Sequence, residues 1–296
     1  MSQVSQNPTQ EKYPQLGGEL ARLLLRKPGG YKLVACDMDG TLLGRDHQLS
    51  ARTIRALQGV AERGITVLLA TGRMMGAVRE HAELLGIPGI VVSHNGALVK
   101  HSSNDTVYVH QTVPLPIARH AVAQALVKGL VIHWNCDDDV LVTARHPLSL
   151  RFSVELGVPL QELAAFSDTE QEPTSLLIMG GRGQLEEILN HTRSVYGQQF
   201  DHVLIPWFDD VWQLQLLPAE TSKGKGVLAV AALLGIEADD IVSFGDSYND
   251  LDMIAATGLG VAMGNAVEEL KRTAKFVTLS HDEDGVAVAL EVLFDL

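Results

Sequence analysis

Short apolar segments alternate with helical patterns, and this alternation constrains the fold more than any other feature of the chain. Near the start of the chain, the apolar segments occupy residues 32–36, 65–70 and 90–93. Short apolar runs suit strands that are buried on both faces, and strand–helix alternation is typical of a parallel sheet covered by helices. The pattern returns near the other end of the chain, with strands expected at 241–244, 260–263 and 276–279.

The middle of the chain has a different pattern. Strands are expected at 107–111, 131–135, 140–144 and 175–179, and helices at 116–128 and 183–195. This mixture predicts an α+β domain inserted into the first one. We therefore expect a doubly wound, Rossmann-like α/β core over residues 31–97 and 210–296, and an inserted domain over 98–209. Residues 1–30 form an N-terminal extension, with a short helix expected around Leu16–Leu24.

Composition excludes several classes of protein. The chain has 296 residues, enough for two domains, and its formal net charge is −13 with no local basic patch. This charge disfavours binding to nucleic acid or to an anionic membrane. The longest apolar run, 227–236, is about half of a membrane span, and the start of the chain lacks the pattern of a secretory signal. Two cysteines cannot form a disulfide framework, so we expect a soluble, cytoplasmic protein.

The sequence DMDGTL at residues 37–42 directly follows the first predicted strand. Ligands of open α/β sheets bind at the carboxyl ends of the strands, so chemistry is expected here. Of two carboxylates on a tight glycine turn, one can bind a metal and attack while the other exchanges a proton. A calcium loop would need an acid or amide at Thr41 and a glycine at Leu42, so that alternative fails. The similar letters at 282–285 precede an apolar helix, which we expect them to cap.

Three further motifs have the same placement. Thr71-Gly72-Arg73 follows the second strand, where a hydroxyl and a backbone amide can hold phosphate oxygens. Lys223 opens a predicted helix and can neutralise nearby carboxylates or a phosphate, although it could equally be exposed and Lys225 could take this role. GDSYND at 245–250 adds two acids and an amide at another strand end. Magnesium prefers such oxygen ligands, whereas each of these residues taken singly could be a helix cap.

These motifs, in this order, resemble the haloacid dehalogenase superfamily, and within it the Cof-like sugar-phosphate phosphatases. The resemblance covers residues 31–296. It rests on DMDGTL at 37–42, TGR at 71–73, HNGA at 94–97, SKG at 222–224, GDSYND at 245–250 and AMGNA at 262–266.

The resemblance implies a role for each matching residue. Asp37 would be the nucleophile that forms an aspartyl-phosphate, and Asp39 the acid and base. Thr71 would bind the transferring phosphoryl group, and Lys223 would steady Asp37. The expected ligands of Mg²⁺ are Asp37, the backbone oxygen of Asp39, and Asp246, with Asp250 acting through water or Lys223. Residues expected to bind substrate or phosphate are Gly40, Thr41, Gly72, Arg73, Asn95, Gly96 and Asn249.

The second aspartate of the first motif, Asp39, favours a phosphatase or a phosphomutase, because a dehalogenase needs no acid for its leaving group. We therefore expect a magnesium-dependent phosphatase acting on small phosphate esters, most of all sugar phosphates, as a monomer or small homo-oligomer. A phosphomutase or phosphotransferase, or a regulatory protein without turnover, are the alternatives that the residues leave open.

The inserted domain would then be a cap that excludes water and contacts the organic part of the substrate. The sequence His133-Trp134-Asn135 lies at a strand end, where it could contact a sugar, although packing is the commoner role of such a tryptophan. Trp207 and Arg182 are weaker candidates for the same contact. His94 is expected to be a turn residue bonded to the backbone.

Overall fold

The computed structural model describes residues 30–45, 47–86, 89–104 and 106–296. Nearly all of the predicted extension, including its helix around Leu16–Leu24, lies outside these residues. The chain divides into two compact units. Of the described residues, the core unit comprises those up to Thr71, His81–Val91 and Lys223–Leu296, and the inserted unit comprises Gly72–Glu80 and Val92–Ser222.

The secondary structure follows the alternation expected for the two ends of the chain. The strands are β1 (Leu33–Cys36), β2 (Thr66–Ala70), β3 (Ile90–Ser93), β4 (Leu98–His101), β5 (Val107–His110), β6 (Val131–Cys136), β7 (Asp139–Val142), β8 (Leu160–Glu162), β9 (Ser175–Gly180), β10 (Phe200–Phe208), β11 (Val211–Pro218), β12 (Ile241–Gly245), β13 (Leu259–Ala262) and β14 (Phe276–Val277). The α-helices are α1 (Ala51–Glu62), α2 (Gly76–Leu85), α3 (Leu115–Val127), α4 (Pro147–Leu156), α5 (Arg182–Tyr196), α6 (Lys223–Leu233), α7 (Leu251–Ala256), α8 (Glu268–Thr273) and α9 (Gly285–Phe294).

The core unit is built on the strands β14-β13-β12-β1-β2-β3, which follow one another in an eight-stranded sheet whose last two strands, β4 and β5, pair antiparallel with each other. Strand β1 pairs in parallel with β12 on one side and with β2 on the other, and Cys36 lies opposite both Phe244 and Leu69. The chain adds its early strands on one side of β1 and its late strands on the other. The order therefore reverses between β1 and β12, and ligands of such sheets bind in the crevice at this point. The predicted doubly wound core is confirmed.

Local chemistry explains where the first helix begins. The Ser50 hydroxyl accepts a hydrogen bond from the Thr53 N–H at 3.0 Å and so caps α1. Leu57 and Val60 of α1 are fully buried. Arg52, in the first turn of this helix, forms a 2.6 Å ion pair with Glu291 of α9. Apolar burial and this ion pair together fix α1 against the C-terminal helix.

The inserted unit is the expected α+β domain. Its sheet has the order β10-β11-β9-β6-β7-β8, in which most neighbours are antiparallel. One face of the sheet packs on helices α3 and α5, and fully buried side chains from the strands and helices meet there. These include Ile117, Ala121, Trp134, Leu176, Leu185 and Ile188.

The inserted unit extends to Ser222, past the domain boundary predicted at residue 209. Residue 209 lies in the turn of a hairpin, because β10 and β11 pair with each other on either side of Asp209. Both strands belong to the sheet of the inserted unit, so a boundary in their turn would divide that sheet. This hairpin was not predicted, since Pro206 and the polar pair Asp201-His202 interrupt the apolar pattern of β10.

Two expectations from composition can be compared with the structure. Cys36 and Cys136 are both free and buried, so they form no disulfide with each other. Among the residues that the structure describes, no helix combines the length and the apolar character that crossing a bilayer requires.

Candidate active site

The first acidic loop leaves the end of β1 and is held against β12. The Asp37 N–H donates to the Phe244 carbonyl at 3.0 Å, and Asp37 is only 3% exposed. Gly40 has a φ of +78°, and a Cβ at this position would lie 2.4 Å from the Asp246 Oδ2 atom. Only glycine fits both the backbone conformation and this close approach. The Asp39 side chain, in contrast, is about half exposed.

Lys223 connects two of the predicted acids. Its Nζ donates to Asp37 Oδ1 at 2.5 Å and to Asp250 Oδ1 at 2.7 Å, and the side chain is 1% exposed. Lys223 is the first residue of α6, and the neighbouring candidate Lys225 is exposed. The structure therefore places Lys223, and not Lys225, in the acidic cluster.

The second acidic loop follows β12 and is closed by Asp250. Its Oδ2 atom accepts from the N–H groups of Asp246 and Ser247, both at 3.0 Å. With Lys223 on its Oδ1 atom, both oxygens of this fully buried carboxylate are occupied. The Thr41 hydroxyl donates to Asp246 Oδ1 at 3.2 Å, so the two acidic loops are bonded to each other.

Three carboxylates converge at this point. Asp37, Asp246 and Asp250 each offer one oxygen, and these oxygens lie within 4.8 Å of one another. Burial, followed by the charge of Asp250, raises the pKa of Asp37 well above its usual value and that of Asp246 to about 7. Burial lowers the pKa of Lys223, but the charges of Asp250 and Asp37 outweigh this effect and the net shift is upward. Lys223 thus stays charged, and one ammonium faces three carboxylates.

Two further predicted residues lie in the core unit. Thr71 is buried and directly follows β2, which pairs in parallel with β1, so it lies at the same edge of the sheet as Asp37. Asn249 is half-buried in a short 3₁₀ turn, Tyr248–Asp250.

Four predicted phosphate-binding residues, Gly72, Arg73, Asn95 and Gly96, belong to the inserted unit. Arg73 is buried, and Asn95 donates to Gln215 Oε1 at 2.6 Å. Gly96 has a φ of +102°, and a Cβ there would lie 2.2 Å from the Ser222 carbonyl oxygen. Their role in binding phosphate stays a prediction.

The sugar-contact candidates of β6 have structural partners within the inserted unit. Trp134 is fully buried, its Nε1 donates to the Gln171 carbonyl at 3.1 Å, and its ring stacks on Phe166. This tryptophan is therefore a packing residue. His133 Nε2 lies 2.8 Å from the Ser149 hydroxyl.

The remaining residues singled out in the inserted domain also have partners in their own unit. Asn135 Nδ2 donates to the Ser175 hydroxyl at 3.2 Å. His94 Nε2 bonds the Asp137 carbonyl at 2.9 Å, which confirms the expected turn residue bonded to the backbone. Trp207 Nε1 donates to Glu155, and Arg182 pairs with Glu186; neither structural partner identifies a sugar contact.

The expectation for the acidic run at 282–285 needs a correction. Asp284 occupies the N-cap position of α9, but its φ is +56° and its side chain makes no capping hydrogen bond. The capping carboxylate is Glu283, which accepts from the N–H and the hydroxyl of Ser280 in the preceding 3₁₀ turn.

Two polar residues that were not predicted to take part hold the start of α6 and the first acidic loop. Asp252 Oδ2 accepts from the Gly224 N–H at 2.9 Å and so fixes the start of α6, next to Lys223. Asn265 Nδ2 donates to the Gly40 carbonyl at 2.8 Å. The resemblance includes Asn265 within AMGNA, but neither residue shows a spacing that points to its partner.

The model of the haloacid dehalogenase-like hydrolase family matches residues 34–290. A putative phosphatase of Bacillus subtilis, YxeH, is 30% identical over 272 residues, covering 89% of this chain and 98% of the relative. The 5-amino-6-(5-phospho-D-ribitylamino)uracil phosphatase YitU of the same organism is 27% identical, covering 89% and 98%. Among solved structures, a haloacid dehalogenase-like hydrolase from Bacteroides thetaiotaomicron is 27% identical with a TM-score of 0.80, covering 89% of this chain and all of the other.

Proposed function

Because the chain belongs to the haloacid dehalogenase-like hydrolases and is a phosphatase of that family, we propose that it hydrolyses small phosphomonoesters through a phosphorylated Asp37. The observation that carries this proposal is the buried contact of Lys223 with both Asp37 and Asp250. This contact holds the Asp37 carboxylate at the end of β1, at the switch point of the sheet, where a carboxylate can act as a nucleophile.

The residues present fit Mg²⁺. The cluster consists of hard oxygen donors, and the raised pKa of Asp246, caused by burial and then by Asp250, indicates excess negative charge that a cation would relieve. Asp37, Asp246 and the backbone oxygen of Asp39 would hold the ion. Since both oxygens of Asp250 already accept hydrogen bonds, we assign to it the support of Lys223 and of the Asp246 loop. When bound, Mg²⁺ supplies positive charge that brings the nucleophile and an anionic phosphate together.

The reaction takes two steps. In the first, a carboxylate oxygen of Asp37 attacks phosphorus, the bond to the leaving oxygen breaks, and Asp39 gives that oxygen its proton. In the second, Asp39 takes a proton from water, the water oxygen attacks the phosphorus, and inorganic phosphate leaves Asp37. Asp39 can exchange protons with water because its side chain is half exposed. Lys223 and Thr71 stabilise charge on the transferring group.

Sugar phosphates are the proposed substrate class. The phosphatase YitU is named for a substrate that carries a phosphoribityl chain, which is a hydroxylated phosphate ester of this kind. The inserted unit would act as the cap that contacts the organic part, and Gly72, Arg73, Asn95 and Gly96 would bind phosphate together with Gly40, Thr41 and Asn249. We also propose that the protein is cytoplasmic, monomeric or a small homo-oligomer, and that it binds neither nucleic acid nor membrane. The two free buried cysteines support the cytoplasmic location, and the net charge of −13 supports the absence of nucleic-acid and membrane binding.

The test is a phosphate-release assay over sugar phosphates, nucleotides and an aryl phosphate, with Mg²⁺ or with EDTA. We expect Mg²⁺-dependent release, and we expect Asp37→Asn to lower it by about a thousandfold or more. Asp282→Asn is the matched control, because it changes the first acid of the similar D-x-D-G sequence outside the cluster. Near-normal activity of Asp37→Asn would refute the mechanism. Transfer of the phosphoryl group from a sugar bisphosphate to a sugar hydroxyl would identify a phosphomutase instead.

A further inference from the structure

The segment that follows β13, residues 263–267, is bonded to both acidic loops of the core unit. The N–H groups of Met263 and Val267 donate to the carbonyls of Gly245 and Asp246 at 3.0 and 2.9 Å. Asn265, between them, donates from its side-chain amide to the Gly40 carbonyl at 2.8 Å. One short segment thus connects the loop after β1 with the loop after β12.

The orientation of the Asn265 amide is fixed by its two partners. Its Oδ1 atom accepts from the His281 N–H at 3.0 Å, and its Nδ2 atom faces the carbonyl of Gly40. A backbone N–H can only donate and a carbonyl can only accept, so exchanging the two amide atoms would break both hydrogen bonds. The side chain of Asn265 is exposed, and its loss would remove little packing from the core.

The hydrogen bond from Asn265 to the Gly40 carbonyl lies between two residues of the proposed metal site. Gly40 lies between Asp39, whose backbone oxygen is a proposed metal ligand, and Thr41, whose hydroxyl donates to Asp246. Gly40 has a φ of +78°, where glycine is conformationally permissive, and its peptide has one hydrogen bond within the turn, from the Thr41 N–H to the Met38 carbonyl at 3.3 Å, and one to a partner outside the turn. The Asn265 amide supplies that partner.

We propose that Asn265 is a positioning residue that holds the Asp39–Thr41 turn in the geometry that binds Mg²⁺. This inference rests on the proposed function and assigns a role to the AMGNA sequence, which the mechanism does not use. Loss of the amide would let the turn sample other orientations, so the ion would bind more weakly and the reactive geometry would form less often. Substrate affinity would change less, because the Asn265 side chain bonds the backbone of Gly40 and of His281.

The experiment compares Asn265→Ala and Asn265→Asp with wild type. The alanine variant removes the donor without adding charge, and the aspartate variant keeps the acceptor for His281 but presents an oxygen to the Gly40 carbonyl. The matched control is Gln58→Ala, which removes a side-chain amide that donates at 2.9 Å to the Leu85 carbonyl in the same unit. The readouts are kcat and KM for an aryl phosphate, the Mg²⁺ concentration for half-maximal activity, and the rise in Tm that Mg²⁺ produces.

For both Asn265 variants we expect the half-maximal Mg²⁺ concentration to rise by about ten- to hundredfold, with a smaller Mg²⁺-induced rise in Tm and a lower kcat. KM and the Tm in EDTA should stay near wild type, and Gln58→Ala should change none of the Mg²⁺ readouts. Wild-type Mg²⁺ dependence in Asn265→Ala, or an effect confined to the aspartate variant, would overturn the proposal. So would a fall in the EDTA Tm that accounts for the lost activity. If wild type releases no phosphate, the proposed function fails, and the Tm readout still tests Asn265.

Discussion

Replacing Lys223 with methionine removes the positive charge from between Asp37 and Asp250 and keeps a long apolar side chain. The lysine is 1% exposed, and the two carboxylates that it bonds are 5% and 0% exposed, so water cannot replace the lost charge. Removing one partner of a buried ion pair costs about 3–5 kcal/mol. Two charge-assisted hydrogen bonds at about 1.5–3 kcal/mol each give about 3–6 kcal/mol, which overlaps this range. We therefore expect the core unit to lose about 3–5 kcal/mol of stability.

The assay must report on the core unit. Trp134, Trp207 and Trp212 all belong to the inserted unit, so tryptophan fluorescence follows the wrong part of the chain. Hydrogen exchange in peptides that cover β1 and β12, measured across a urea series in EDTA, follows the strands that carry the acidic loops. The EDTA prevents a bound cation from compensating for the missing ammonium.

Lys225→Met is the matched control, because it makes the same change two residues along α6 at an exposed position. Its expected effect is below about 0.5 kcal/mol. Adding Asp250→Asn to Lys223→Met removes one of the two buried carboxylates that the lysine no longer neutralises. The loss of stability in the double variant should therefore be smaller than the sum of the losses in the two single variants. If Lys223→Met destabilises β1 and β12 no more than Lys225→Met does, the buried ion pairs do not hold this end of the sheet.

Two further predictions follow from the backbone and from buried histidine. Gly40→Ala should lower activity by at least about a hundredfold, because its Cβ would lie 2.4 Å from Asp246 Oδ2. The control is Gly64→Ala, which has a similar φ of +76° but no atom within 4 Å of the added Cβ, and which should lose stability only. Equal activity of the two variants would contradict this prediction. Burial lowers the pKa of His133 to about 3 from its usual 6.5, so the folded protein favours the neutral form of this side chain. The free energy of unfolding should therefore fall as the pH drops from about 6.5 towards 3, by up to about 1.4 kcal/mol per pH unit. Tryptophan fluorescence should show a flatter acid dependence for His133→Gln and the wild-type dependence for His101→Gln; a wild-type slope in the first variant would refute this.

The sequence could predict which acidic side chains lie together at the candidate site, because the strands of a parallel sheet bring the loops that follow them to one edge. Strands that run in the same direction end at one edge, so polar residues that directly follow apolar runs are brought to that edge. Asp37 and Asp246 follow β1 and β12, which are neighbours in register, and the structure joins their loops through Thr41. The reasoning needs only strand order and direction, which the alternation of strands and helices largely determines.

The inserted unit was less predictable because its sheet is mostly antiparallel. In such a sheet, hairpins can form without a glycine turn signal, and β10–β11 turns through Asp209 instead. A tryptophan in a strand can face either side, since side chains alternate, and the sequence does not say which face the helices cover. Trp134 faces α3 and α5, where it packs, although its position at a strand end resembles that of a contact residue.

The sequence alone could not decide whether Lys223 or Lys225 faces the acidic loops. Two residues along a helix turn a side chain by about 200°, so if one lysine faces the acidic loops the other must face away. The sequence thus requires that one of them be exposed, but the rotation of α6 about its axis decides which. Asp252 fixes that rotation through the Gly224 N–H, between the two lysines, and the absence of a side chain at Gly224 leaves room for the contact. The ammonium of the cluster is therefore selected by a carboxylate on α7, because that carboxylate orients the first turn of α6.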